Sequence, residues 1–289
     1  MDILALLPQA GLNGLVIGAM YALMAIGFSL VFGTMRIVNF AHGEFYMIGS
    51  FVAFFTYAQW EVPFALTILI AIAVVGVAGA AIEWVVVRPL RTDELSSMIA
   101  TLGVSVVLQN GALMFFGASP RPMPDVVSGL VHLGPAIFSA SRIFVIVAAT
   151  VVIGAFWLFM QKSRTGRAMR AVAQDQEAAL LQGVDVERIF PFAFAIGVVL
   201  AAVAGVLMAP VFSVSPFVGA TPMLKAFIVV ILGGLGSIPG AVLGGLLIGM
   251  IESFGATFLG GVTADMLQLG VVIAILLVRP AGLMGRKEA

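Results

Sequence analysis

Long apolar runs occupy residues 8–32, 63–87, 95–116, 143–160, 189–211 and 241–258, and Glu83 and Glu252 are the only charges inside them. Uncharged runs near or above about 18 residues read as bilayer-spanning helices. In hydrocarbon the backbone must satisfy its own hydrogen bonds, so helix is the economical fold for such segments. Shorter apolar pieces lie at 45–57, 223–232 and 266–278. Charged residues make up 10% of the 289-residue chain, against roughly a quarter in a soluble domain. The expectation is an all-α polytopic membrane protein with about eight spans plus a short or re-entrant segment. We read residues 1–289 as a single transmembrane domain with a cytoplasmic loop at 161–188. The N-terminus lacks a basic region and a small-residue cleavage site, so the first span is expected to direct insertion itself.

Charge sets the orientation. Arg88 and Arg91 lie in one connection, Lys162, Arg164, Arg167, Arg170 and Arg188 in another, and Arg279, Arg286 and Lys287 in the tail. The positive-inside rule puts all three on the cytoplasmic side. Counting back places 117–141 outside, the stretch 33–44 inside and the N-terminus outside. For the tail to end inside, the chain must turn at Gly233–Gly240. The endings "VVVRPL" at 85–90 and "LLVRPAG" at 276–282 are alike, and each follows a Gly-containing break by a similar distance. An internal duplication would explain that, with discontinuous helices of the kind transporters carry.

Several chemistries are absent from the sequence. None of Lys162, Lys225 and Lys287 follows the glycine spacing of a phosphate-binding loop. There is no HExxH, no GxSxG and no cysteine, and His42 and His132 are far apart. We expect no catalytic residues, no metal site and no cofactor. The formal net charge is zero, which gives no reason to expect a nucleic-acid partner. The expected environment is the lipid bilayer.

Between two apolar runs stands "RIVNFAHGEF", residues 36–45. Ionisable groups at membrane depth line a cavity or find partners. Asn39, His42 and Glu44 are candidates to brace broken backbone. The alternative is a place on the solute path, with Glu44 meeting an ammonium group and backbone N–H groups near Gly233, Gly234, Gly236 and Ser237 meeting a carboxylate. Gly14/Gly18, Gly240/Gly244 and Gly245/Gly249 have the spacing of close helix packing. Gln109 and Asn110 are expected to bond another helix. Lys225 is expected either to snorkel or to face the path.

The loop 161–188 contains "QDQEAALLQG", whose Ala, Glu, Gln and Leu favour helix and whose Gly183 is a stop signal. Glu177-Ala178-Ala179, three residues, then Gly183 resembles the EAA loop of binding-protein-dependent ABC importer permeases. The wider run "SRTGRAMRAVAQDQEAALLQGVDVERI" resembles the branched-chain amino-acid permeases of the LivH type. So do residues 22–50, Ile231–Gly245 and "LLVRPAGLMG" at 276–285, in order along the chain. The distal part of the general loop pattern is missing, which weakens alignment to distant sugar permeases. The resemblance implies a coupling helix at Glu177, Ala178, Ala179 and Gly183, seated on a cytoplasmic ATPase. It also implies a second homologous permease, two ATP-binding subunits, a periplasmic or extracellular binding protein, and inward movement of leucine, isoleucine, valine or a related solute across the bacterial plasma membrane. Rival readings are an ion- or proton-coupled secondary transporter using Glu44, Glu83 and Glu252, and a non-transporting membrane assembly protein.

Overall fold

A computed structural model describes residues 3–133 and 136–285. It is almost entirely helical. Helix α1 (Ile3–Met35) is followed by α2 (His42–Ala53), which continues through a π-helical turn at Phe54–Gln59. Helix α3 (Phe64–Ile82) passes through a second π-helical turn, Glu83–Val87, into the one-turn α4 (Arg88–Leu90). Then come α5 (Glu94–Phe116), a two-stranded hairpin β1 (Leu130–Leu133) and β2 (Ala136–Ser139), and α6 (Ala140–Lys162). Two short helices follow, α7 (Arg164–Gln174) and α8 (Gln176–Leu181), and then α9 (Val186–Met208). The chain closes with α10 (Ala220–Gly233), α11 (Ile238–Leu259) and α12 (Gly261–Val278).

Seven of these helices among the described residues are long and apolar enough to cross a membrane, and α10 is a shorter apolar helix. With α2 this matches the expected count of spans. The proline-rich connection is irregular from Gly117 to Gly129, as its residues require, but it ends in the hairpin that composition did not reveal.

The non-helical break is narrower than its sequence suggests. Gly33 is still helical, and α1 stops at Arg36, which takes a left-handed φ of 58°. His42 then opens α2 deep inside the protein. Its Nε2 lies 3.1 Å from the Met24 carbonyl, eleven residues before the end of α1, or about 16 Å along the axis. From there α2 runs parallel to α9: Phe45 meets Phe194, Gly49 meets Ala202, and Ser50 bonds the Gly205 carbonyl at 3.1 Å.

The second half repeats this plan upside down. After α9 the chain turns back without regular helix and opens α10 at Gly219, against Gly43. A Cβ on either of these glycines would strike the carbonyl oxygen of the other. The same reciprocity holds for Gly27 and Gly197, each preceded by Ala-Ile. Helix α11 lies antiparallel on α1, with Gly14 and Gly18 facing Gly245, Gly249 and Met250, while α3 lies antiparallel on α9 through Gly79 and Val198. The duplication therefore relates α1–α2–α3 to α9–α10–α11. The two Val-Arg-Pro endings do not mark it: the first closes α3, and the second closes α12, which packs on α11.

Gly234–Ser237 is a turn joining α10 to α11. It sits at the same end as the tail, since Leu283 N–H donates to the Leu232 carbonyl and Met284 N–H to Gly233. Arg88, Arg91, the 162–170 cluster and Arg279 gather at that same end. Arg286 and Lys287 lie outside the described residues.

Candidate functional site

Two regions carry polar groups where an ordinary span would not. The first is the loop at 161–188. Ser163 caps α7 by accepting from Gly166 N–H at 2.8 Å, and Met169 and Val172 bury its apolar face. Asp175 ends α7 and caps α8, accepting from Ala178 N–H at 2.9 Å. Gly183, at φ 80°, lets the chain leave α8, while Val184 N–H returns to the Ala179 carbonyl at 3.0 Å. Glu177, Ala178 and Gly183 are exposed, whereas Ala179 is buried. Ala179 therefore packs on its own chain. The outward apolar residues are instead Leu180 and Leu181, 52% and 87% exposed. Composition did not single them out, because a leucine in a helix-forming run is ordinarily read as core.

The first turn of α9 is tied to α4 and the loop after it. Glu187 pairs with Arg91 and, at 3.4 Å, with Arg88, and the Arg91 guanidinium lies 5.4 Å over the Phe190 ring.

The second region is the break before α2. Asn39 Oδ1 accepts from Ala41 N–H at 3.1 Å. Thr101 on α5 accepts from Phe40 N–H at 3.2 Å and lies 3.3 Å from the Val38 carbonyl. The Met24 carbonyl can only accept, so His42 Nε2 donates, and Nδ1 is buried and unpartnered. Glu44 does not brace backbone: its Oε1 accepts from the Ser105 hydroxyl at 2.9 Å, and its Oε2 is buried without a partner. Thr101 and Ser105 were not legible in sequence, since only the fold brings α5 to the break. Gly236 packs on Gly33 at the far end of α10 from Gly43, about 20 Å along that helix, so Glu44 and the 233–240 N–H groups are too far apart to meet the ammonium and the carboxylate of one solute. Ser237 caps α11, accepting from Gly240 N–H at 3.2 Å.

The three carboxylates of the secondary-transporter reading stand apart. Glu44 meets Ser105, and Glu83 lies on the π-helical turn of α3. Glu252 accepts from Tyr21 at 2.9 Å and pairs with Lys225 at 3.1 Å. Lys225 neither snorkels nor stands free: it also pairs with Asp265 at 2.6 Å and donates to Gln268. Asn110 bonds the Val106 carbonyl of its own helix rather than another helix. No cluster of metal-ligating side chains occurs among the described residues.

Broken helices meeting at depth, an inverted repeat and a capped surface helix define a polytopic transport permease rather than an enzyme. A family model described as the branched-chain amino acid transport system permease component matches residues 11–276. The chain is 39% identical to the high-affinity branched-chain amino acid transport system permease protein BraD of Pseudomonas aeruginosa, over 97% of this chain and 96% of that one. It is 36% identical to LivH of Escherichia coli K12, with the same coverage, and 29% identical to a probable LivH of Methanocaldococcus jannaschii over 91% of this chain and 88% of that one. The chain belongs to the branched-chain amino acid transport permease family and is a multi-pass protein of the plasma membrane.

Proposed function

We propose that this permease carries branched-chain amino acids inward as one of two membrane-spanning subunits of an importer. Two cytoplasmic ATPase subunits hydrolyse ATP, and an external binding protein delivers the solute. The whole chain acts as one permease domain. The observation that carries this reading is α8: a short, doubly capped helix at the end where the basic residues gather, presenting Glu177, Ala178, Leu180 and Leu181 outward and continuous through Gly183 with α9. Exposed leucines on a surface helix are the kind of patch that a partner covers. Asn39, His42 and Thr101 hold the break before α2, while Gly233, Gly234, Gly236 and Ser237 form a turn at the coupled end.

The test is reconstitution of the complex in liposomes with loaded binding protein outside and ATP inside. Labelled leucine is expected to accumulate only with hydrolysable ATP. Accumulation driven by a proton or sodium gradient without ATP would overturn the reading in favour of a secondary transporter.

A further inference from the structure

The connection between α6 and α9 divides its charge into two blocks. Residues 161–174 carry Lys162, Arg164, Arg167 and Arg170 and no acidic residue, whereas 175–187 carry Asp175, Glu177, Asp185 and Glu187 and no basic one. The basic block is the end of α6 together with α7, and the acidic block holds α8 and the start of α9. No ion pair among the described residues joins the two blocks or involves any of these four basic side chains. Lys162, Arg164 and Arg167 are exposed, and Arg170 is partly so.

Geometry sets the basic block at the level of lipid headgroups. Helix α6 has 23 residues, a length of about 34 Å, a little more than the roughly 30 Å of hydrocarbon. Val147, Val151, Leu158 and Lys162 recur on one face of it, so an apolar stripe ends in a cation. The three apolar members are more than half exposed, as is Trp157, a residue type that collects at membrane interfaces. Helix α7 doubles back on this end: a Cβ on Gly166 would strike the Phe159 carbonyl oxygen. Arg167 Nη1 donates to the Lys162 carbonyl at 3.0 Å, and Arg170 Nη1 donates to the Met160 carbonyl. These bonds satisfy the last carbonyls of α6 and hold both guanidinium groups at its end, with other donors of Arg167 left free. Met169 and Val172 turn inward, where α7 packs on α1, α6 and α9. Four basic groups directly after a spanning helix are the pattern that attracts anionic lipid.

We propose that the end of α6 and the first turns of α7 bind an anionic phospholipid. Lys162, Arg164 and Arg167 hold the headgroup phosphate, and the acyl chains lie along Val147, Val151 and Leu158. The consequence for coupling rests on the proposed function. Asp175 both ends α7 and caps α8, so a lipid that anchors α7 also fixes the position of α8. The same headgroups repel the acidic block, which leaves α8 turned toward the ATPase. Without anionic lipid α7 loses its anchor, and stimulated hydrolysis and uptake fall together.

The probe is phosphatidylglycerol with a diazirine on one acyl chain, compared with phosphatidylcholine bearing the same chain, each in liposomes that hold the whole complex. Illumination is expected to label peptides covering 147–162 more strongly with the phosphatidylglycerol probe. Arg164→Gln should lower that preference by about fivefold, the scale of one basic residue at a membrane surface, and Arg164→Lys should keep it. Arg188→Gln is the control, since Arg188 already pairs with Asp185 at 2.8 Å. Equal labelling by the two probes in the wild type overturns the site, as does an unchanged preference in Arg164→Gln. If Arg164→Gln does not assemble, the wild-type comparison decides alone. Label that appears on the permease alone and is absent from the whole complex marks an ATPase contact and overturns the proposal. Loss of the label to excess inorganic phosphate at constant ionic strength marks a site for a free anion and overturns it too. Uptake is expected to fall in pure phosphatidylcholine and to recover when phosphatidylglycerol is added; full uptake in phosphatidylcholine overturns the role in coupling. The labelling needs no transport, so a complex that takes up no leucine sinks the proposed function and leaves the lipid site standing.

Discussion

Leu181 gives the sharpest test of how the permease meets its ATPase. Its side chain is 87% exposed at the end of α8, so almost all of its apolar surface is available to a partner and little supports the permease fold. Full burial of a leucine contributes about 1.5–3 kcal/mol. Leu181→Ala retains only a methyl group, so a loss near 2 kcal/mol, or roughly 30-fold in association, is expected if the side chain is seated in an ATPase cleft. The permease alone should unfold at an unchanged temperature, because surface truncations outside a packed contact stay within about 0.5 kcal/mol.

The assay has two parts. Titration of detergent-solubilised permease with the ATPase subunits gives the affinity, and liposomes with saturating binding protein give stimulated hydrolysis and uptake. Raising the ATPase concentration should restore both activities in Leu181→Ala, since the lesion is in docking. Gly183→Val should behave differently. A Cβ at Gly183 meets nothing within 4 Å, but its φ of 80° is costly for a branched residue, so the exit from α8 is strained and added ATPase does not repair coupling. Gly183→Asn, which tolerates that conformation, should retain most activity. Wild-type affinity and stimulation in Leu181→Ala would refute the argument that this patch is an interface.

Gly27→Ala places a Cβ against the Gly197 carbonyl oxygen and should destabilise the permease by about 1–3 kcal/mol, read as a lowered unfolding temperature, while Gly154→Ala, with nothing within 4 Å, should not lower it. Leu235→Cys, in the turn between α10 and α11 of this cysteine-free chain, should react with an impermeant maleimide in inside-out vesicles and not in intact cells; labelling from outside refutes the turn's placement. Lys225→Met leaves Glu252 and Asp265 without their cation and should cost about 3 kcal/mol in unfolding free energy, part of which Glu252→Gln restores in the double variant.

The spans were legible because hydrocarbon imposes one rule on every residue of a crossing segment, and composition alone reports whether it is met. The polar stretch at 36–44 announced a break, and the distribution of Arg and Lys fixed the ends. What sequence spacing could not give was correspondence across the fold. Val-Arg-Pro occurs twice because apolar helices often end alike, whereas the glycines at 27 and 197 share only a preceding Ala-Ile and their pairing shows only in the fold. Ser105 and Thr101 look like ordinary small polar residues of a span until α5 is set beside the break. Ala179, expected at the contact, packs inward because α8 is too short for periodicity to fix its buried face.

Helix α9 joins the two regions described above. It begins two residues after the α8 exit turn and its Glu187 holds Arg88 and Arg91, so α4 follows its first turn. Farther along, it touches α1 at Gly27, α2 at Gly49 and α3 at Gly79, so it meets each helix of the first half. At the first two of these, backbone meets backbone with no side chain between, so the helices approach closely without interlocking knobs. In the docking proposed above, a displacement of α8 passes along α9 toward all three helices. It reaches α2 on the opposite side from Glu44 and Ser105, through Ala202 and Gly205.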